Sequence, residues 1–199
     1  MNNNQSNKEK EEKRQPADIA KASNKDTVLI ASDGLKITSK YYGGIFAETE
    51  NIDGNKGYSK IPISLLAKGG SKKNVTFYLD VDEAEYLYEF SKAFSDCSYS
   101  SYKERNGVRR TLLIKRQSFY NNQKMKYPWY IEIKNMQLET KNGKTEIKKT
   151  EKRFINISDK DFFTVMNRIH RFIYCFVNAY STNIIRMKLE YEKEQNWRR

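Results

Sequence analysis

Histidine, cysteine and proline are scarce in this 199-residue chain, with one, two and three copies. The two cysteines, Cys97 and Cys175, have no paired spacing. That excludes a CxxC or Cys/His metal site and leaves two reduced thiols as the simplest expectation. The single histidine, His170, lies in an amphipathic stretch beside Arg168 and Arg171, so it reads as a helix-boundary residue rather than a general base. No P-loop, dinucleotide fingerprint or nucleophile elbow occurs. The acidic cluster Asp80, Asp82, Glu83 and Glu85 is explained by the positive end of a helix. Together these absences point away from an enzyme and from any cofactor or metal. No run approaches the ~18 apolar residues that span a bilayer. The first 26 residues, rich in Asn, Lys, Glu and Gln, lack the apolar core of a signal peptide. A cytoplasmic protein with no membrane partner is expected.

Acidic residues are scarce in one place where basic ones are not. Residues 100–157 hold fifteen Lys and Arg against five Asp and Glu, which accounts for +10 of the chain's net charge of +12. The same stretch carries Tyr102, Phe119, Tyr120, Tyr127, Trp129, Tyr130 and Phe154. Phosphates attract the cations and unpaired bases stack on the rings, so the combination suits a single-stranded nucleic acid. Lys outnumbers Arg by 26 to 11, a bias that fits an AT-rich bacterial, phage or plasmid genome.

Residues 1–26 are too polar to offset the entropy of ordering and are expected to form a flexible tail. Folded structure is expected from Thr27. Strands are expected at Thr27–Ser32, Leu35–Tyr42 resuming at Ile45–Glu50 after Gly43-Gly44, Tyr58–Leu66 and Asn74–Leu79. Asp80 with Glu83 then starts a helix through Ala84, Leu87, Phe90 or Ser91, and Phe94. Cys97–Tyr102 reads as a loop. Val108–Phe119, Tyr127–Leu138 and Thr145–Ile157 read as further strands, with turns at Asn121-Asn122 and Asn142-Gly143. Ser158 and Asp161 open a second helix, whose apolar stripe is Phe162, Val165, Met166, Ile169, Phe172, Ile173, Phe176 and Val177. Ser181-Thr182-Asn183 either ends that helix or lies within it. A helical extension over 181–199 is a candidate surface for joining protomers.

The two halves, about 27–97 and 103–180, share residues as well as order. Leu35–Gly44 lies 78 positions before Leu113–Asn122, and Phe77, Leu79, Asp80 and Glu83 fall at the same offset on Ile155, Ile157, Ser158 and Asp161. The expected fold is α+β: tandem ββββα repeats, giving two antiparallel sheets each backed by a helix. Over roughly residues 27–180 this order resembles the Whirly and Pur-alpha class of single-stranded nucleic-acid-binding proteins. The resemblance is one of topology and surface chemistry and transfers no individual residue. It implies paired ββββα repeats whose exposed sheet surfaces hold DNA or RNA.

The candidate binding residues come from charge and strand parity. Arg109, Arg110, Lys115 and Arg116 share one strand, and Lys149, Lys152 and Arg153 share another with Lys148. Alternation divides each set between two faces, so about half can touch one ligand. Trp129 and Tyr127 share the parity of Ile131 and Ile133 and are expected in the core or at its rim. Tyr130 shares parity with Glu132 and Lys134 and is expected to stack. Lys40, Tyr42, Tyr58 and Lys60 form a matching patch in the first half. The leading expectation is a nonenzymatic single-stranded DNA-binding protein. The alternatives are an RNA-binding regulator, or an interaction protein whose basic face meets an acidic partner.

Overall fold

A computed structural model describes residues 17–35, 49–50, 56–57, 59–69, 74–93, 95–141 and 144–197. Four strands form a first antiparallel sheet in the order β1 (Asp18–Ser23), β2 (Thr27–Ser32), β5 (Lys60–Ala67) and β6 (Val75–Asp80). Between β2 and β5 lies a short pair, β3 (Thr49–Glu50) and β4 (Lys56–Gly57). Helix α1 (Val81–Phe90) follows β6 directly. The second sheet runs β7 (Cys97–Arg105), β8 (Val108–Arg116), β11 (Trp129–Lys141) and β12 (Lys144–Ile157). A second short pair, β9 (Phe119–Tyr120) and β10 (Gln123–Lys124), again sits between the second and third strands. Helix α2 (Asp159–Trp197) completes the α+β fold.

Period-two alternation sends one side of each strand inward. Leu29, Ala31, Ile61, Ile63, Leu65, Val75, Phe77 and Leu79 do so from the first sheet. Leu112, Ile114, Trp129, Ile131, Ile133, Ile155 and Ile157 do so from the second. The helices add Ala84 and Leu87 from α1, and Phe162, Val165, Met166, Ile169 and Ile173 from α2. The spacing of the α2 set keeps one stripe on the core. All of these residues belong to one cluster. Each fully buried Leu, Ile or Phe contributes about 1.5–3 kcal/mol relative to exposure.

That single core corrects the expectation of two sheets each backed by its own helix. Strands β8, β11 and β12 pack on β6, β5 and β2, so the sheets cover one another. Helix α2 meets β8 and β11 at its start and lies against β1 and α1. Strand β1 also lies within residues 1–26, which were expected to form a flexible tail. Ala20 and Ala22 bury their small side chains beside Leu29 and Ala31, which gives β1 little hydropathy to read. Asn24 closes the turn into β2, its Oδ1 accepting from the N–H groups of Asp26 (3.0 Å) and Thr27 (2.8 Å). The strands expected at 36–48 lie outside the described residues, as do Gly43-Gly44, Phe94 and Asn142-Gly143. Lys141 and Lys144, on either side of the latter, are paired in register.

Cys97–Tyr102 belongs to β7, not to a loop. Its inward residues are Cys97, Tyr99, Ser101 and Lys103, too polar to show a hydrophobic alternation. The readable signal was Asn106-Gly107, a two-residue turn between Arg105 and Val108 with φ of 52° and 68°. The expected Asn121-Asn122 turn is present, with φ of 48° and 62°. Both helix starts fall where capping chemistry puts them. The Asp80 N–H donates to Glu83 Oε2 at 2.9 Å, and the Asp161 N–H donates to Ser158 Oγ at 3.1 Å. Ser181-Thr182-Asn183 does not break α2, which runs 39 residues without interruption. The Thr182 hydroxyl is spent inside the helix, donating to the Asn178 carbonyl at 2.9 Å.

Gly107 holds a left-handed conformation that a β-branched residue adopts only with strain. Gly107→Val is expected to cost about 1–2 kcal/mol, read as a lower urea midpoint.

Candidate nucleic-acid interface

The outward side of the second sheet is fixed by the register that buries its inward side. From β12 to β7, the cross-strand rows are Asn156–Tyr130–Lys115–Ser98, Phe154–Glu132–Leu113–Ser100, Lys152–Lys134–Thr111–Tyr102 and Thr150–Met136–Arg109–Glu104. This face therefore brings together Arg109, Lys115, Tyr130, Lys134 and Lys152, five of the residues expected from the sequence. It presents four cations and two carboxylates. Arg109 is tied across the ladder to Glu104, with Nη2 at 2.9 Å from Oε2. Lys134 and Lys152 both reach Glu132, at 2.8 and 3.2 Å. Lys115 is exposed beside Tyr130.

Three rings lie on the same face. Tyr130 stacks on Phe154, their centroids 5.5 Å apart and their planes 29° from parallel. Phe154 is 50 % exposed, and Tyr102 at the far edge is 70 % exposed. The Tyr130 hydroxyl donates to Glu132 Oε2 at 2.7 Å. Burial, followed by that bond to an anion, pushes the phenol up to about 12, so it stays protonated at neutral pH. Next to the Tyr130–Lys115 end, the β9–β10 hairpin exposes Phe119 and Tyr120 together with Lys124. Phe154, Tyr102 and this hairpin were not singled out as site residues from the sequence. For Phe154 and Tyr102 the available signal was outward parity across the ladders, and Tyr102 was hidden by the misread loop.

Other sequence candidates lie elsewhere. Arg116 is buried, opposite Trp129 on the inward face, and not on the outward face with Lys115. Its Nε donates to Asp159 Oδ1 at 2.9 Å, Nη2 to Oδ2 at 3.2 Å, and Nη1 to Ser118 Oγ at 2.7 Å. The Trp129 indole N–H donates to the same Asp159 Oδ1 at 2.8 Å, and its ring stacks on Phe162 at 3.9 Å. Arg110 also points inward, its guanidinium 5.5 Å from the centre of the Tyr78 ring. Arg153 shares the inward parity of Ile155 and is half-buried. Lys149, of that same parity, pairs with Glu151 at 3.0 Å. Lys60 belongs to the first sheet, half-buried and ion-paired with Asp80. Its pKa is lowered by burial and by the neighbouring Lys103 ammonium. Lys40, Tyr42 and Tyr58 lie outside the described residues. Trp129 is in the core as expected, whereas Tyr127 is exposed.

No group of three His, Cys, Asp or Glu side chains forms a metal-holding cluster among the described residues. Nor is any helix among them long and apolar enough to cross a membrane. Cys97 and Cys175 are free thiols, the former pushed up in pKa by burial. His170 joins the two helices: Nδ1 lies 2.6 Å from Glu85 Oε2 on α1, and the ring stacks on Tyr88 at 4.1 Å.

Neighbouring arginines thus have separable roles. Arg116→Ala, which leaves Trp129 and Asp159 around a lost charge, is expected to cost about 2 kcal/mol. Arg109→Ala and Lys115→Ala should stay within about 0.5 kcal/mol of the native stability. Thermal melting distinguishes them. The Arg116 hydrogen bond, then that of Trp129, holds the Asp159 carboxyl below its ordinary value of 3.8. Its stabilisation is therefore full above that ordinary value and is lost as pH falls through the lowered one. An acid-unfolding series on Asp159→Asn should lack this component.

No protein-family model matches the chain, and no curated protein matches it. Among solved structures, the crystal structure of WHY1 from Arabidopsis thaliana is similar over 89% of this chain and 95% of that one. The TM-score is 0.53 at 12% sequence identity. A likeness at that identity is one of architecture, and it establishes a Whirly-like fold for this chain.

Proposed function

We propose that the protein is a nonenzymatic single-stranded DNA-binding protein that lays the strand across the outward face of its second sheet. The observation that carries this reading is the convergence of Arg109, Lys115, Lys134 and Lys152 with the Tyr130–Phe154 stack and Tyr102 on one face. Cations spaced along strands can follow a phosphate backbone, and half-exposed rings offer platforms to unpaired bases of any identity. A duplex keeps its bases stacked on one another and cannot use those rings. The Whirly-like fold accords with the reading without carrying it. The two ββββα halves are inferred to be tandem repeats, with the second supplying most of the phosphate attraction. Self-association through the C-terminal part of α2, from residue 181 on, and a role in replication or transfer of a phage or mobile element belong to the same proposal. The second of these rests on composition alone.

The test is a binding panel of single-stranded DNA, duplex DNA and RNA of matched sequence across a salt series. With four cations on one face, the log–log salt slope on single-stranded DNA should be no steeper than about −3. Tyr130→Ala and Phe154→Ala should each weaken binding by about 1–3 kcal/mol per base stacked, with little change in slope. Tighter binding to RNA than to DNA would favour the RNA-regulator reading, because only RNA offers the 2′-hydroxyl. Failure to bind either single strand at low salt would favour an acidic protein partner.

A further inference from the structure

At the centre of the outward face stands a carboxylate. Glu132 is flanked along β11 by Tyr130 and Lys134, and across the ladders by Phe154 on β12 and Leu113 on β8. It is only 6 % exposed, the most buried carboxylate among the described residues. Three donors converge on it. Lys134 Nζ lies 2.8 Å from Oε1, Lys152 Nζ lies 3.2 Å from Oε2, and the Tyr130 hydroxyl donates to Oε2 at 2.7 Å. Burial pushes the carboxyl up in pKa, but the hydrogen bonds from Lys134, Tyr130 and Lys152 outweigh it and hold it below its ordinary value. Glu132 is therefore an anion at neutral pH.

A buried ion pair is a poor source of stability, because desolvation offsets most of the Coulomb attraction. The arrangement is better explained by what it does to its partners. Two of the four cations on the face are engaged from within and share the single negative charge of Glu132. Building on the reading of this face as a single-strand surface, we propose that Glu132 is an internal competitor of the nucleic-acid phosphates. In the free protein its carboxylate occupies Lys134, Lys152 and Tyr130. When a strand binds, phosphates must share or take over those ammonium groups. Each ammonium has three N–H donors, so a lysine can bridge carboxylate and phosphate, but its charge is divided between them. Affinity is thereby held down and exchange kept fast, while the Tyr130 ring stays pinned beside Phe154 for stacking. Glu132 acts through its partners and is a positioning and neutralising residue.

Fluorescence anisotropy with a labelled oligothymidylate, over a salt series, compares the native protein with Glu132→Gln. Glutamine keeps the size of the side chain and an acceptor for Tyr130 but removes the charge. The variant is expected to bind about threefold or more tightly at low salt, with a salt slope steeper by up to about 0.7 units. Unchanged or weaker binding by a variant that melts like the native protein would overturn the proposal. If Glu132→Gln fails to fold, Lys152→Gln and Lys115→Gln decide in the native background. Lys152→Gln should remove less affinity and less slope than Lys115→Gln, and an equal or larger loss would overturn the proposal. If neither the native protein nor Glu132→Gln binds at low salt, the single-strand reading itself falls and this one with it. Native binding with no response to Glu132→Gln removes this inference alone.

Discussion

The two-residue period of the β-strand governs this molecule, because one side of the second sheet is closed by the first. Trp129, Ile131 and Ile133 must face inward to fill the shared core, and their pairing with Arg116, Ile114 and Leu112 leaves no choice for the residues between. A slip of one residue would expose the core set and bury Lys115 and Lys134. The face that meets solvent is thus a consequence of packing on the other side. A block of charge that is continuous in sequence is divided by the pleat. Part of it serves the outward face, and part is engaged by partners away from it, such as Asp159 and Tyr78.

The inward basic residues are anchored where helices begin. Asp159, in the first turn of α2, accepts from Trp129 on β11 and Arg116 on β8. Glu83, in the first turn of α1, accepts from Tyr99 at 3.0 Å, from Ser101 at 2.6 Å and from Lys103, all on β7. Asp80, just before α1, accepts from Lys60 on β5 and from Lys103. In each case a carboxylate favoured by the helix dipole also fastens the helix to a strand cation. Asp80 and Glu83, expected from the sequence as acids favoured by a helix N-terminus, bond to strands as well. Through Lys103 they link the first sheet and α1 to β7.

Legibility followed the strength of the local signal. The end of β12 and the start of α2 were readable because Ile155 and Ile157 alternate and Ser158 with Asp161 caps the helix. Strand β1 was not, because alanines can fill a narrow part of the core without raising hydropathy. Strand β7 was not, because its inward side is polar and satisfied by α1, a partner that no local window contains. Tyr130 and Lys134 were placed correctly by parity within one strand. Arg116 was misplaced because the partner that buries it, Asp159, is 43 residues away. The burial of Glu132 depends on Phe154 and Leu113 from neighbouring strands, so it too needed the register.

The central claim is that the single strand lies on the outward face of the second sheet. Ultraviolet cross-linking of the native protein to an oligothymidylate, followed by mass-spectrometric mapping of the attached residues, addresses it without any substitution. Cross-links concentrated at Tyr130, Phe154 and Tyr102 are predicted. Cross-links confined to Tyr78 on the first sheet or Tyr174 on α2, both exposed rings away from that face, would contradict it.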